Sequence, residues 1–340
     1  MRHLRSPSVH HLDLESWSLR HYADKKKSKQ LGMFAPPYAR PALALFNAHC
    51  DKVIETYALA ELHIQASAVR CETQSVGVRV ELSSGETVES LNLIFAIGAS
   101  EQPFYPDWAP KEHPSIGHVF APNFNEWPTS AETVVVVGGG ISAGQVALRL
   151  AKEGHDVHLV SRHPMREHQF DSDPGWLGPK FMRLFEGERD MDRRRAMITD
   201  ARHRGSVPPD VKRGLLRAID QGTLSWYEAS VDALDTADET LMMQLSSGAE
   251  ILADRVLLAT GFIGRRPGGA MLDRFVESTR LPCASCGYPI VDESLMWHPG
   301  IYVSGPLAEL ELGPTSRNIA GARRAGDRLL ASVKQGRSAA

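Results

Sequence analysis

Three consecutive glycines, Gly138-Gly139-Gly140, follow directly on the apolar, β-branched run from Thr133 to Val137. Behind them, Ile141 to Ala151 has the apolar spacing of a helix and stops at Gly154, a residue suited to the left-handed helix end. Gly138, Gly140 and Ala143 satisfy Gly-x-Gly-x-x-Ala, and Gly138, Gly140 and Gly144 satisfy Gly-x-Gly-x-x-x-Gly. In such a segment the first glycine permits a tight turn and the second lets backbone approach a pyrophosphate. The small residue at 143 or 144 lets the helix pack closely. The helix start, Ile141, Ser142, Ala143 and Gly144, turns free N–H groups and the positive end of the helix dipole toward phosphate. The chemistry indicated is dinucleotide binding.

A second strand follows on schedule at Asp156-Val157-His158-Leu159-Val160 and ends in Ser161-Arg162-His163. A site for an unphosphorylated ribose carries Asp or Glu here, bonded to the 2′-hydroxyl. A carboxylate would repel a 2′-phosphate, whereas the Ser161 hydroxyl and the Arg162 guanidinium would bind one. The reading is therefore NADPH, held by Gly138, Gly140, Ile141, Ser142, Ala143, Gly144, Ser161 and Arg162.

Other reactive residues are sparse. Cys283-x-x-Cys286 could be a redox disulfide or half of a zinc site, but no second pair at metal spacing accompanies it, so no metal is expected. A structural role for this pair is expected. Lys25-Lys26-Lys27 and Arg193-Arg194-Arg195 read as solvated faces, and His118 as a surface histidine. No Ser/His/Asp arrangement and no paired-carboxylate motif emerges, so no catalytic acid or base is assigned.

These residues need elements to position them. Length of 340 residues suits two domains; apolar content of 42% and charged content of 23% are those of a globular protein. A net charge of −3 calls for neither nucleic acid nor an anionic membrane, so the expected partner is a small-molecule substrate. No signal peptide or membrane span is legible, and four cysteines do not make a disulfide scaffold, which makes the cytoplasm the expected location.

A weak repeat runs at an offset of 163 residues. Leu82-Ser83-Ser84-Gly85 recurs as Leu245-Ser246-Ser247-Gly248; Gly98 and Gly261 follow at equal distances, and Ser67 and Ser230 precede at equal distances. Val76, Val78, Val80 and Leu82 alternate with polar residues, as do Leu241, Met243 and Leu245. Each copy reads as a β-meander followed by a strand that returns to a parent sheet. The expected fold is α/β, with two doubly wound, three-layer dinucleotide-binding (Rossmann-like) domains. Residues 1–103 and 264–340 would form the first, 104–128 a linker, and 129–263 the second. The offset puts the first copy's glycine loop upstream of Met1, so the first domain is expected to be incomplete at its N-terminus.

The chain resembles the two-dinucleotide-domain flavoproteins, and within them the FAD- and NADPH-using lysine/ornithine N-hydroxylase group. The resemblance rests on residues 3–11 (HLRSPSVHH), on Ala96-Ile97-Gly98 with Pro103, on the 138–144 loop, and on 300–305 (GIYVSG) through 310–323 (LELGPTSRNIAGAR). Ala259-Thr260-Gly261 matches the second linker, with Pro267 one residue late. The resemblance implies an FAD- and NADPH-dependent monooxygenase in which the cofactor carries the hard chemistry. It places Gly305, Gly313, Pro314 and Thr315 at the flavin; Pro314-Thr315-Ser316 reads as the start of a helix running to about Val333, with Ile319, Ala322, Ala325, Leu329 and Val333 lining one face. Pro306 stands where many related reductases carry Asp. It also puts Arg5, Ser6 and His10 near flavin or substrate, although an ordinary loop reads equally well. The family's FAD glycine loop is missing, and three explanations stay open: a start upstream of Met1, a remnant without FAD or turnover, or completion by another chain. Two alternatives also stand: a flavin-linked disulfide reductase using Cys283 and Cys286, and a non-catalytic NADPH-binding protein.

Overall fold

A computed structural model describes residues 3–25, 33–236 and 240–338. The chain divides into two compact units: Met1–Ala99, Ser172–Arg202 and Arg265–Ala340 in the first, Ser100–Asp171 and His203–Gly264 in the second. Residues 172–202, inside the expected 129–263 domain, group with the first unit.

The second unit is built on five parallel strands in the order Ser225–Glu228, Asp156–Ser161, Thr133–Val137, Arg255–Leu258, Ile116–His118. Val134, Val135 and Val136 have no exposed surface, as a strand covered on both faces requires. Val134 and Val136 meet Ala143, Ala147 and Leu150 of the helix Ile141–Glu153 and Val211 and Leu215 of the helix Pro209–Asp220. Val135 and Val137 meet Leu241, Met243, Leu245, Ile251 and Ala253 of the antiparallel meander Val231–Asp235, Leu241–Leu245, Glu250–Ala253. Helices cover one face and a meander the other, giving three layers.

The first unit carries the matching meander, Ala68–Thr73, Val78–Leu82, Thr87–Ser90, and the parallel pair Leu93–Phe95 and Ile301–Val303 with Met296–His298 antiparallel beside it. The repeat is visible atom by atom. The N–H of Gly85 donates to Leu82 O at 2.9 Å and that of Gly248 to Leu245 O at 2.8 Å. Ser83 N–H donates to Ser67 O and Ser246 N–H to Ser230 O, while Ser67 N–H and Ser230 N–H donate to the hydroxyls of Ser83 and Ser246 at 3.1 and 3.0 Å. Gly85 and Gly248 have φ of +84° and +83°, where a side chain would be strained. Val76 lies before the strand and is 71% exposed, because the hairpin turn at Gly77 claims it.

The first unit's core gathers Phe95, Phe275, Leu295, Trp297, Ile301, Val303, Leu307, Leu312, Ala325 and Leu329. Its last helix runs Ile319–Ser338; Gly321, not Ala322, is buried, because Gly321 lies against the Thr315 carbonyl with no room for a Cβ. Asn318 caps that helix through Gly321 N–H at 3.0 Å, so the hydroxyls of Thr315 and Ser316 are not the caps. The arginine run is not a solvated face. Arg193 is exposed, but Arg194 bonds Glu311 at 3.0 Å and Arg195 bonds Glu309. Glu309 has no exposed surface; Arg317 reaches it through Nε at 2.6 Å and Nη2 at 2.9 Å, and Arg202 Nη2 lies 3.7 Å away. Of the lysine run, Lys26 and Lys27 lie outside the described residues.

Burial alone would raise the Glu309 carboxyl, but the hydrogen bonds and charges of Arg317 and Arg195 outweigh it and hold the group below the usual carboxylate range. Its contribution to stability is therefore complete above the ordinary carboxylate value and is lost as pH falls through the lower folded value. Glu309→Ala, which leaves the guanidiniums uncompensated, is expected to cost about 3–5 kcal/mol in denaturant unfolding at neutral pH.

His118 is buried without exposed surface at the end of Ile116–His118, among the rings of Tyr105, Phe120 and Phe262, so it is not a surface histidine. Phe120 N–H donates to its Nδ1 at 3.2 Å. Burial pushes its pKa down to about 4, partly opposed by the Gly261 backbone. The unfolded imidazole binds protons at higher pH, so the stability tied to neutral His118 is complete above about 6.5 and is lost as pH falls toward 4. A His118→Phe variant should flatten the pH–stability profile in that window, measured by thermal unfolding across pH; an unchanged slope would contradict this.

Candidate functional site

The site begins where the strand Thr133–Val137 meets its helix. Gly138 N–H donates to Val160 O at 2.9 Å, and the residue adopts φ +151°. A Cβ there would stand 2.5 Å from Ala259 O and 3.1 Å from Ala143 Cβ, so only glycine permits this approach of the loop to the neighbouring strand. Gly140 is the N-cap of the 13-residue helix Ile141–Glu153 and offers no capping side chain, which leaves the first-turn N–H groups for a ligand. A Cβ on Gly140 would meet nothing closer than Gly205 Cα at 3.9 Å, so the space before the loop is open. Ala143 faces Gly138. Gly144 serves the second helix instead, since a Cβ there would lie 2.9 Å from Val211 and 3.2 Å from Leu215. Ile141 is half-buried against the same apolar cluster, and Ser142 is half-buried at the helix start.

A small recess lies at the loop, lined by Gly138, Gly139, Gly140, Gly144, Leu159, Ser161, Met165, Val207 and Leu215. It lies at the carboxyl edge of the parallel sheet, where ligands of such sheets bind.

Ser161 lines that space, but its hydroxyl is committed elsewhere. It is buried; its hydroxyl donates to His163 O at 3.0 Å and accepts from Trp226 Nε1 at 3.0 Å. With its proton committed, it holds the end of the strand in place. Arg162 is exposed and, among the described residues, makes no hydrogen bond or ion pair. It is thus available for an anion.

His163, which has no role in the sequence pattern, sits on the glycine loop. Its ring fills the volumes that a Cβ on Gly139 or Gly205 would need, at 2.6 and 2.4 Å. Its Nδ1 lies 2.9 Å from Pro164 O, and since a carbonyl only accepts, Nδ1 carries the proton. The signal was available in Gly139 and Gly205, two glycines far apart in sequence, yet nothing local linked them.

In the first unit, Gly305 and Gly313 adopt φ of +60° and +75°. Pro314 and Thr315 are buried in the turn Pro314–Arg317. The hydroxyls of Thr315 and Ser316 are buried and make no hydrogen bond. Buried hydroxyls normally find a partner, so these two are the polar atoms here that a flavin could satisfy. His10, on the turn closed by its N–H to Pro7 O at 3.0 Å, is held below the ordinary imidazole value by burial and by Arg323. Arg5 and Ser6 are half-buried in the same segment. Among the described residues no cluster of three or more potential metal ligands occurs, and no helix is long and apolar enough to cross a membrane.

Residues 46–193 match the family model for pyridine nucleotide-disulphide oxidoreductases. No curated protein sequence matches the chain. Among solved structures, the ornithine hydroxylase of Pseudomonas aeruginosa aligns with a TM-score of 0.70 at 16% identity, over 87% of this chain and 77% of that one. The ornithine N-hydroxylase of Kutzneria sp. 744 gives 0.70 at 16% identity, over 94% and 82%. The bacillithiol disulfide reductase of Bacillus cereus gives 0.59 at 16% identity, over 97% and 86%. At these identities the likeness is one of fold: the chain has the α/β architecture of the two-dinucleotide-domain flavoproteins, and it resembles their N-hydroxylase group.

Proposed function

We propose that this chain is a flavin-dependent oxidoreductase that draws reducing equivalents from NADPH and acts as a monooxygenase on an amine-bearing small molecule in the cytoplasm. The observation that carries the reading is the open glycine loop at an uncapped helix start, with Arg162 free beside it and no carboxylate at the strand end. Gly138 and Gly140 bring backbone to the pyrophosphate, the N–H groups of Ile141, Ser142 and Ala143 bind its oxygens while Gly144 lets the helix pack, and Arg162 pairs with the 2′-phosphate. Ser161 acts indirectly, by fixing the strand end from which Arg162 projects. The first unit takes the flavin through Gly305, Gly313, Pro314 and Thr315, with the orphaned hydroxyls of Thr315 and Ser316 as hydrogen-bonding groups. When bound, FAD supplies the redox chemistry. The assignment to amine oxidation is supported by fold likeness to ornithine hydroxylases, one of them described with reduced FAD, NADP+ and L-ornithine. A fold hosts many reactions, so the substrate rests on the assay.

Two variants test the nucleotide site. Arg162→Glu should weaken NADPH binding at least about tenfold while leaving NADH nearly unchanged, measured by fluorescence titration; equal loss for both cofactors would remove the 2′-phosphate contact. Gly140→Val is expected to abolish stabilisation by NADPH with little change in the melting temperature of the free protein, because its φ of −96° and open surroundings accept a side chain. For the reaction, the chain reconstituted with FAD should turn yellow and consume NADPH and O₂ in the presence of ornithine or lysine. NADPH binding without consumption would leave a nucleotide-binding protein that does not turn over.

A further inference from the structure

The proposed function makes no use of Cys283 and Cys286, which stand on a tight turn of the first unit. Ala284 N–H donates to Tyr288 O at 2.9 Å, Ile290 N–H to Pro282 O at 3.0 Å and Gly287 N–H to Ala284 O at 2.8 Å. Cys283 pairs across with Pro289, and Gly287 takes φ +78°. Both cysteines are free, half-buried thiols. A Cys-x-x-Cys pair on a closed turn is the arrangement in which two thiols exchange with a disulfide most readily.

Each thiol also has a guanidinium for company. Arg195 interacts with Cys286, and Arg266 with Cys283. Arg195 stacks over the Tyr288 ring at 4.0 Å and bonds Glu309, yet its Nε and Nη2 are buried without a hydrogen-bond partner. Arg266 bonds Asp273 at 2.5 Å, and its Nη1 is likewise buried and unpartnered. Buried guanidinium N–H groups lacking an acceptor are costly, and a thiolate sulfur is an acceptor for such donors. Glu309 is shared among Arg195, Arg202 and Arg317. Asp192 accepts a hydrogen bond from Ser285 of the same turn.

We propose that Cys286 and Cys283 form a dithiol–disulfide couple oxidised by hydroperoxides, with Cys286 as the attacking thiol and Cys283 as the resolving one. The Cys286 thiol gives its proton to solvent and its sulfur attacks a peroxide oxygen; the S–O bond forms, the O–O bond breaks, and the departing oxygen takes a proton to leave as an alcohol, or as water from hydrogen peroxide. The Cys283 sulfur, losing its proton, then attacks the Cys286 sulfenic acid; the S–S bond forms and hydroxide leaves as water. Two thiols are oxidised and one hydroperoxide is reduced. The roles follow from placement. Arg195, stacked on Tyr288 of the same turn with buried N–H groups that lack a partner, interacts with Cys286, whereas burial pushes the Cys283 thiol up.

The test is run on the full chain without FAD or NADPH, so that its outcome stands apart from the proposed function. Hydrogen peroxide is added and thiols are mapped by mass spectrometry, with Cys50 and Cys71 as internal references; burial pushes the Cys71 thiol up to about 11 and raises that of Cys50. A 283–286 peptide lighter by two hydrogens should appear at least about tenfold faster than any oxidation of Cys50. In Cys283→Ser, dimedone should trap a sulfenic acid on Cys286; in Cys286→Ser, Cys283 should stay reduced. Free Cys283 and Cys286 at a peroxide dose that oxidises Cys50 would overturn the proposal, as would undiminished oxidation of Cys283 in Cys286→Ser.

Discussion

Four buried valines, Val134 to Val137, set the terms for the second unit. A strand with apolar side chains up and down must be covered twice, once by helices and once by something else. The helix pair Ile141–Glu153 and Pro209–Asp220 supplies one cover, and their close packing is possible because Gly144 has no side chain to meet Val211 and Leu215. The meander 231–253 supplies the other. The strand then has to turn sharply into its own helix, and the turn passes so near Ala259 that Gly138 cannot carry a Cβ. The ligand-accepting geometry of the loop is thus a by-product of packing: the same approach that closes the core leaves the first helical N–H groups bare.

The two meanders show how little sequence such a cover needs. Only the turn residues and the serines that close it are shared, and each shared residue has a defined duty: Gly85 and Gly248 supply positive φ, and Ser83 and Ser246 accept a backbone N–H from Ser67 and Ser230. Between these points the strands need only alternate apolar and polar residues, so their identities are free to differ.

In the first unit, organisation is electrostatic as well as apolar. Arg195 and Arg317, from elements far apart in the chain, converge on the buried Glu309, and Arg194 and Arg328 converge on Glu311. These pairs draw the excursion 172–202 onto the turn that carries Pro314 and Thr315. A buried carboxylate surrounded by guanidiniums tolerates loss of a partner poorly, which makes the network a device for fixing position more than a source of net stability.

The sequence by itself determined the features that are local in the chain. Strand, glycine turn and helix at 133–154, the second strand at 156–161, the absence of an acid at its end, and both serine–glycine turns depend on residues within a few positions of one another, where periodicity and backbone conformation are written directly. Tertiary structure decided what depends on residues brought together from afar. The Ser161 hydroxyl is occupied because Trp226, on a neighbouring strand, donates to it; His163 sits on the loop because Gly139 and Gly205 both leave room for its ring. His118 is buried by aromatic rings from three segments, and the arginine run splits between solvent and the buried Glu309. A charge or a histidine in a sequence reads as solvated by default. Only the placement of distant partners reveals that it has been taken out of water, because desolvation is a property of the assembled surroundings and not of the residue.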